Sequence, residues 1–297
     1  MTTHVETEIA SQPDCWRRAA ETAAERSGLL PLTGERIAVV GCGTSYFIAR
    51  AYAALRESLG EGETDAFPAS DPTPLGRGYD RIVALTRSGT TTEVAGLLAR
   101  AAGRIPTLAL TGVPDSPAGH HADAVLDLGF ADERSVVQTR FATTALQLLR
   151  AGLGVDLEAS VTDAELALYE PLPAAWERHG QFTFLGTGWT VGLADEAALK
   201  LREAARAWAE SYPAMEYRHG PISISDAGSL VWCLGPVPPG LADEVDATGA
   251  QFVADAVDPV AALVRAQLLA VALAGRRGLN PDRPRNLTRS VILAGAR

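Results

Sequence analysis

The chain has 297 residues, 47% hydrophobic and 21% charged, with a formal net charge of −10, so it buries a sizeable core and predicts roughly two domains. The acidic balance argues against a basic nucleic-acid-binding surface, and no run approaches the roughly 18 apolar residues of a membrane span. A polar start over 1–12 does not read as a signal peptide, and Cys15, Cys42 and Cys233 lack metal spacing and cannot all pair, pointing to a reduced cytoplasmic protein.

Residues 1–35 read as an N-terminal helical segment. Arg36 to Gly41 is a short apolar strand ending in the glycine turn Gly41-Cys-Gly43-Thr44-Ser45, and Tyr46 to Ser58 has helical apolar spacing. Arg81 to Thr86 is a second β-rich run, after which Thr90 and Glu93 fit a capping box opening a helix to about Gly103. Pro106 to Thr111 and Ala124 to Leu128 read as further strands, and Phe141 to Ala151 and Asp163 to Glu177 as helices joining two halves, with Pro171-Leu-Pro173 as boundary punctuation. Gln181 to Gly186 with Thr187-Gly188-Trp189-Thr190 then repeats the strand–Gly-x-Gly–helix plan. Ser229 to Leu234 is a strand, Pro236 to Gly240 a loop, Val260 to Gly275 a helix, and the stretch from Asn280 is extended and polar. Two such openings in one chain predict an α/β fold of two tandem subdomains, each a parallel sheet flanked by helices, over 36–170 and 171–297.

Neither Gly-x-Gly turn has the third glycine of a dinucleotide fingerprint, because Tyr46 and Val191 stand there. Thr86-Arg87-Ser88-Gly89-Thr90-Thr91 is a better anion candidate, since it joins a strand end to a helix N-terminus whose free N–H groups and dipole favour negative charge. Glu196, Lys200 and Glu203 fall on one helical stripe among Ala194, Ala197, Ala198, Leu199, Leu201, Ala204, Ala205 and Trp208. A helix this apolar is largely buried, so its charges need partners or a substrate. A loop fixed by prolines, Glu210-Ser-Tyr-Pro213 and Glu216-Tyr-Arg-His219-Gly-Pro221, brings a histidine beside carboxylates, an arrangement suited to proton shuttling. His120-His121 lacks a third ligand at helpful spacing and reads as solvent-facing, and no metal site is evident.

These segments resemble the SIS (sugar isomerase) family, most closely the isomerase half of glucosamine-6-phosphate synthase, over about residues 36–292. The chain as given leaves no room for a glutaminase domain ahead of the first sugar-binding unit. The resemblance implies two SIS subdomains in a homodimer that binds a phosphorylated sugar or amino sugar, without cofactor, metal, nucleic acid or membrane. It makes Glu203 the proton-abstracting base, with Glu196 and Lys200 shaping the polar site and His219 assisting ring opening from the neighbouring subunit. It makes Gly43, Thr44 and Ser45 ligands of the sugar phosphate. The family's serine, glutamine, serine, glycine and, two residues on, threonine fall at Thr86, Arg87, Ser88, Gly89 and Thr91, so a charge replaces the glutamine. Gln138 stands where the synthase has a serine, and Arg289 where it has its Schiff-base lysine, a role closed to a permanently protonated guanidinium. The implied activity is aldose–ketose or deaminating isomerisation of a phosphosugar. The alternatives are a phosphosugar–amine lyase or deglycase, and a non-catalytic sugar-phosphate-binding regulator.

Overall fold

The computed structural model describes residues 2–293. By contacts it divides into two units. One comprises Asp14–Leu157 with the C-terminal residues from Leu287 onward; the other comprises residues up to Pro13 together with Glu158–Asn286. This division departs from the sequence boundaries. The first helix, α1 (His4–Ala10), and the helix α7 (Glu158–Tyr169) belong with the second sheet, and the tail belongs with the first.

The first unit holds a five-stranded parallel sheet of β1 (Ile37–Gly41), β2 (Thr64–Pro68), β3 (Arg81–Thr86), β4 (Thr107–Thr111) and β5 (Ala124–Asp127), in the order β2-β1-β3-β4-β5. The central strands β1 and β4 are buried along their whole length, as a sheet covered on both faces requires. The helices α2 (Gln12–Glu25), α3 (Thr44–Ser58), α4 (Thr92–Ala101), α5 (Pro117–His121) and α6 (Arg140–Gly152) accompany these strands. Val94, Leu97, Leu98 and Ala101 of α4 pack with Ala38, Val40, Ile82, Ala84 and Ala109 of the sheet. Each large aliphatic side chain buried this way contributes about 1.5–3 kcal/mol.

The other unit repeats the plan with β6 (Gln181–Gly186), β7 (Trp208–Pro213), β8 (Ser229–Leu234) and β9 (Gln251–Ala254), all parallel, in the order β7-β6-β8-β9. Its helices include α8 (Thr190–Ala205), α9 (Leu241–Asp246) and α10 (Pro259–Arg276). The duplication shows in one shared device. A Cβ on Gly41 would sit 2.6 Å from the backbone of Ser45, and one on Gly186 2.4 Å from that of Thr190, so only glycine lets each helix start against its strand end.

Several expectations are corrected. The run Glu210 to Pro213 is part of the edge strand β7, not a loop, and α8 ends at Ala205, capped by Arg206 in a left-handed conformation (φ 53°). Trp208 therefore leaves the helical stripe and is 69% exposed. The helix predicted over Asp163 to Glu177 is α7 and stops before Pro171 and Pro173, whose rings cannot continue it. Although no such run was expected, α10 is an 18-residue helix of mean hydropathy 1.3, long and apolar enough for a membrane span. In this fold 61% of it is buried against protein, and it packs on α8.

Candidate functional site

In the first unit the chain leaves β1 for β2 on one side and returns to β3 on the other. The strand order reverses there, and the crevice beyond the carboxyl ends of β1 and β3 is where open α/β sheets bind ligands. A small cavity of about 20 Å³, room for about one water, lies there, lined by Cys42, Ser45, Thr86, Arg87, Ser88, Thr91, Gln138 and Arg289 among others. Gly43, the N-cap of α3 with φ 54°, and buried Thr44 stand at the same turn without lining the cavity. Ser45, Thr86 and Ser88 are each 6% exposed or less. Among the described residues the hydroxyls of Ser45, Thr86 and Thr91 take no hydrogen bond, and the Oε1 of Gln138 is buried without a partner. A buried polar atom such as Gln138 Oε1 is normally satisfied, so it and the open hydroxyls around one crevice suit a polar ligand.

The predicted capping box does not form. Thr91 is the N-cap of α4 and makes no side-chain cap, while the Oγ1 of Thr90 bonds Ser88 Oγ at 3.0 Å and Ser290 Oγ at 2.9 Å. Gly89 is required at φ 64°, since a Cβ would fall 1.9 Å from Ser116 Oγ. Burial, followed by the charge of Glu93, raises the Cys42 thiol to about 11, so this cysteine stays protonated and is a poor nucleophile.

Arg87 is buried at 2% exposure. Its guanidinium donates to the carbonyls of Ser135 (2.9 Å), Val136 (3.2 Å) and Arg289 (2.8 Å) and lies 3.6 Å from the Glu133 carboxylate. Its donors thus serve protein carbonyls, which sets it apart from the open hydroxyls beside it. Arg289 in turn donates to the Glu133 carbonyl and the Asp132 carboxylate. Asp132 and Glu133 are absent from the sequence candidates. Glu133 opens the segment to Arg140 that resembles a substrate loop of the family, and it caps the helix that follows through Thr139 N (2.6 Å) and Arg140 N (2.9 Å).

In the other unit, α8 brings the three stripe residues together. Lys200 Nζ lies 2.6 Å from Glu203 Oε2 and 3.2 Å from Glu196 Oε1. The side chains of Lys200 and Glu196 are about 1% exposed or less, and that of Glu203 18%, so Glu203 alone of the three reaches solvent appreciably. Burial pulls the Lys200 ammonium down, but the two carboxylates more than offset it and its pKa lies above the ordinary value. Asp195, on the same helix, accepts from Ser211 of β7 at 2.8 Å, and Glu210 accepts from Tyr212 at 3.1 Å. His219 ends a short 3-10 turn, Glu216–His219, and is exposed. His120 and His121 are exposed, as expected.

The second unit's turn treats its hydroxyls differently. Thr190, the counterpart of Ser45, accepts from Thr187 N (2.8 Å) and donates to Thr187 O (3.1 Å), and Thr187 donates to Pro236 O (3.1 Å). The first turn leaves its hydroxyl open; the second consumes its own.

The SIS domain family model matches residues 33–151, the segment that holds β1 to β5. The chain carries a SIS domain there. It is 30% identical to the glutamine–fructose-6-phosphate aminotransferase (isomerizing) of Methanothermobacter thermautotrophicus, matched over 96% of this chain and 57% of that protein. The chain spans about half the length of the curated relatives it matches. Among solved structures, glucosamine-6-phosphate deaminase from Thermotoga maritima superposes with a TM-score of 0.79 at 23% identity, covering 97% of this chain and all of that one. Tagatose-6-phosphate ketose/aldose isomerase from Escherichia coli gives 0.78 at 21% identity, covering 99% and 97%. At these identities the likeness establishes the fold, two α/β sheets of the SIS type.

Proposed function

We propose that this protein is a phosphosugar isomerase, acting as an aldose–ketose isomerase or as an amino-sugar-phosphate isomerase or deaminase. The observation that carries the reading is the set of unpartnered hydroxyls of Ser45, Thr86 and Thr91, with Gln138 Oε1, around the crevice beside the α4 N-terminus. Hydroxyl donors and a helix N-terminus suit a phosphate, and an acceptor such as Gln138 suits a sugar hydroxyl. The names of the relative and the two structural neighbours, all for proteins acting on hexose or hexosamine 6-phosphates, support the same class.

The chemistry needs a second set of groups. Glu203, carboxylate at the rim of the buried α8 network, takes the proton from C2 of the open-chain aldose. It returns that proton to C1 as the O2 proton moves to O1, by way of an enediol-like intermediate. Lys200 holds Glu203 by a 2.6 Å hydrogen bond, and Glu196 supplies the second carboxylate that keeps the ammonium in place. His219, exposed at its turn, serves ring opening, in a homodimer that pairs it with another chain's base. Proton transfer of this kind requires neither a redox cofactor nor a metal.

A second reading, a lyase or deglycase of phosphosugar–amine adducts, is favoured by Arg289, whose guanidinium is engaged by Asp132 and cannot act as an amine nucleophile. The test is a panel of hexose and hexosamine 6-phosphates and their amine adducts, followed by NMR. Ser88→Ala with Thr91→Ala should weaken sugar-phosphate binding by about 1–3 kcal/mol. Equal affinity of the parent for a hexose and its 6-phosphate would refute the reading.

A further inference from the structure

Arg87 has a task distinct from ligand binding. Its donors reach two chain segments far apart in sequence: the carbonyls of Ser135 and Val136, and that of Arg289. Both segments carry cavity-lining residues, Gln138 and Arg289, and Arg87 itself adjoins Ser88. The C-terminal stretch has little apolar anchorage, since Val291, Ile292 and Leu293 are 52%, 69% and 51% exposed. Hydrogen bonds hold it instead. Thr92 N donates to Val291 O at 3.1 Å, Leu293 N donates to Thr92 Oγ1 at 2.9 Å, and Thr90 bonds Ser290. Glu133 balances the buried guanidinium and caps α6 from its other oxygen, through Thr139 and Arg140.

We propose that Arg87 is a positioning residue that fixes the Gln138 loop and the Arg289 tail as one wall of the crevice. A glutamine, the residue expected there by resemblance, offers two N–H donors on one short amide. A guanidinium offers five on a longer stem and can span both segments. The charge at position 87 thus orders the protein around the ligand, and the hydroxyls do the binding. This extends the sugar-phosphate reading, on which only its affinity arm rests.

Hydrogen exchange on the full chain without ligand tests the clamp directly. Arg87→Gln should speed exchange at the Thr92 and Leu293 amides about 10-fold or more, the effect of losing hydrogen bonds to a charged donor, while β1 and β4 amides keep their protection. With a hexose 6-phosphate turned over by the parent, KM should rise about 10-fold and kcat change little, and Arg87→Lys should fall between. Loss of folded protein alone would lower apparent kcat and leave KM unchanged. If Arg87→Gln does not fold because Glu133 is left buried, Arg87→Gln with Glu133→Gln removes that charge and carries the same exchange prediction. Unchanged exchange at Thr92 and Leu293 overturns the clamp, and faster exchange with unchanged KM overturns its link to binding. A parent that binds no sugar phosphate removes the functional reading instead, and the exchange result still decides the clamp.

Discussion

Lys200→Met should destabilise the protein by about 3–5 kcal/mol, the loss expected when one partner of a buried ion pair is removed. The structure sets the magnitude. The ammonium is 1% exposed, contacts two carboxylates at 2.6 and 3.2 Å, and sits on a helix whose Glu196 is fully buried. Methionine matches the stem but leaves two carboxylates facing each other, so one must take up a proton or the helix must shift. Urea unfolding of parent and variant measures the difference, and Lys200→Met with Glu196→Gln should recover part of it. The parent should also show an alkaline signature. The folded pKa of Lys200 lies above its unfolded value of 10.5, so its contribution is present in full below about pH 10.5 and is lost as the pH rises through the folded pKa. The variant should lack that limb. A change below about 1 kcal/mol, the scale of an exposed pair, would refute the account of a buried network that depends on its lysine.

Two further outcomes concern the reaction. Glu203→Gln should cut turnover by about 10²–10⁴, the usual worth of a general base, and abolish solvent deuterium entry at C1 or C2, with little change in sugar-phosphate affinity; exchange at the parent rate would remove Glu203 from the mechanism. Mixing inactive Glu203→Gln and His219→Ala chains should restore part of the activity through hybrid sites, whereas no recovery after demonstrated subunit exchange would place both residues in one chain's site.

What is legible in the sequence follows from burial. Central strands β1, β3, β4, β6 and β8 are buried along nearly their whole length and announce themselves as apolar runs. The strands that escape such a reading, β2, β7 and β9, are all sheet edges. Thr64-Asp-Ala-Phe-Pro68 and Trp208-Ala-Glu-Ser-Tyr-Pro213 carry polar residues and a terminal proline because an edge is half solvated, so neither stands out as an apolar run. The α8 stripe is legible because i, i+4 and i+7 spacing fixes a shared face whatever the packing. Arg87 is illegible for the opposite reason. Its partners are backbone carbonyls of residues 135, 136 and 289, and carbonyls leave no trace in a sequence. The capping box fails because α4 starts at Thr92 with Thr91 as its N-cap, which leaves Thr90 outside the cap position, its hydroxyl bonded to Ser290, 200 positions away.

The contrast between Ser45 and Thr190 bears on how a doubled unit diverges. A hydroxyl tied up inside its own turn contributes to folding whether or not a ligand ever arrives, so its copy is released from selection for recognition. An open hydroxyl contributes nothing until a ligand meets it, and mutation is restrained there only by activity. Drift should therefore register as altered substrate range in the first turn and as altered stability in the second. A library randomised at both would separate the two pressures whatever the sugar.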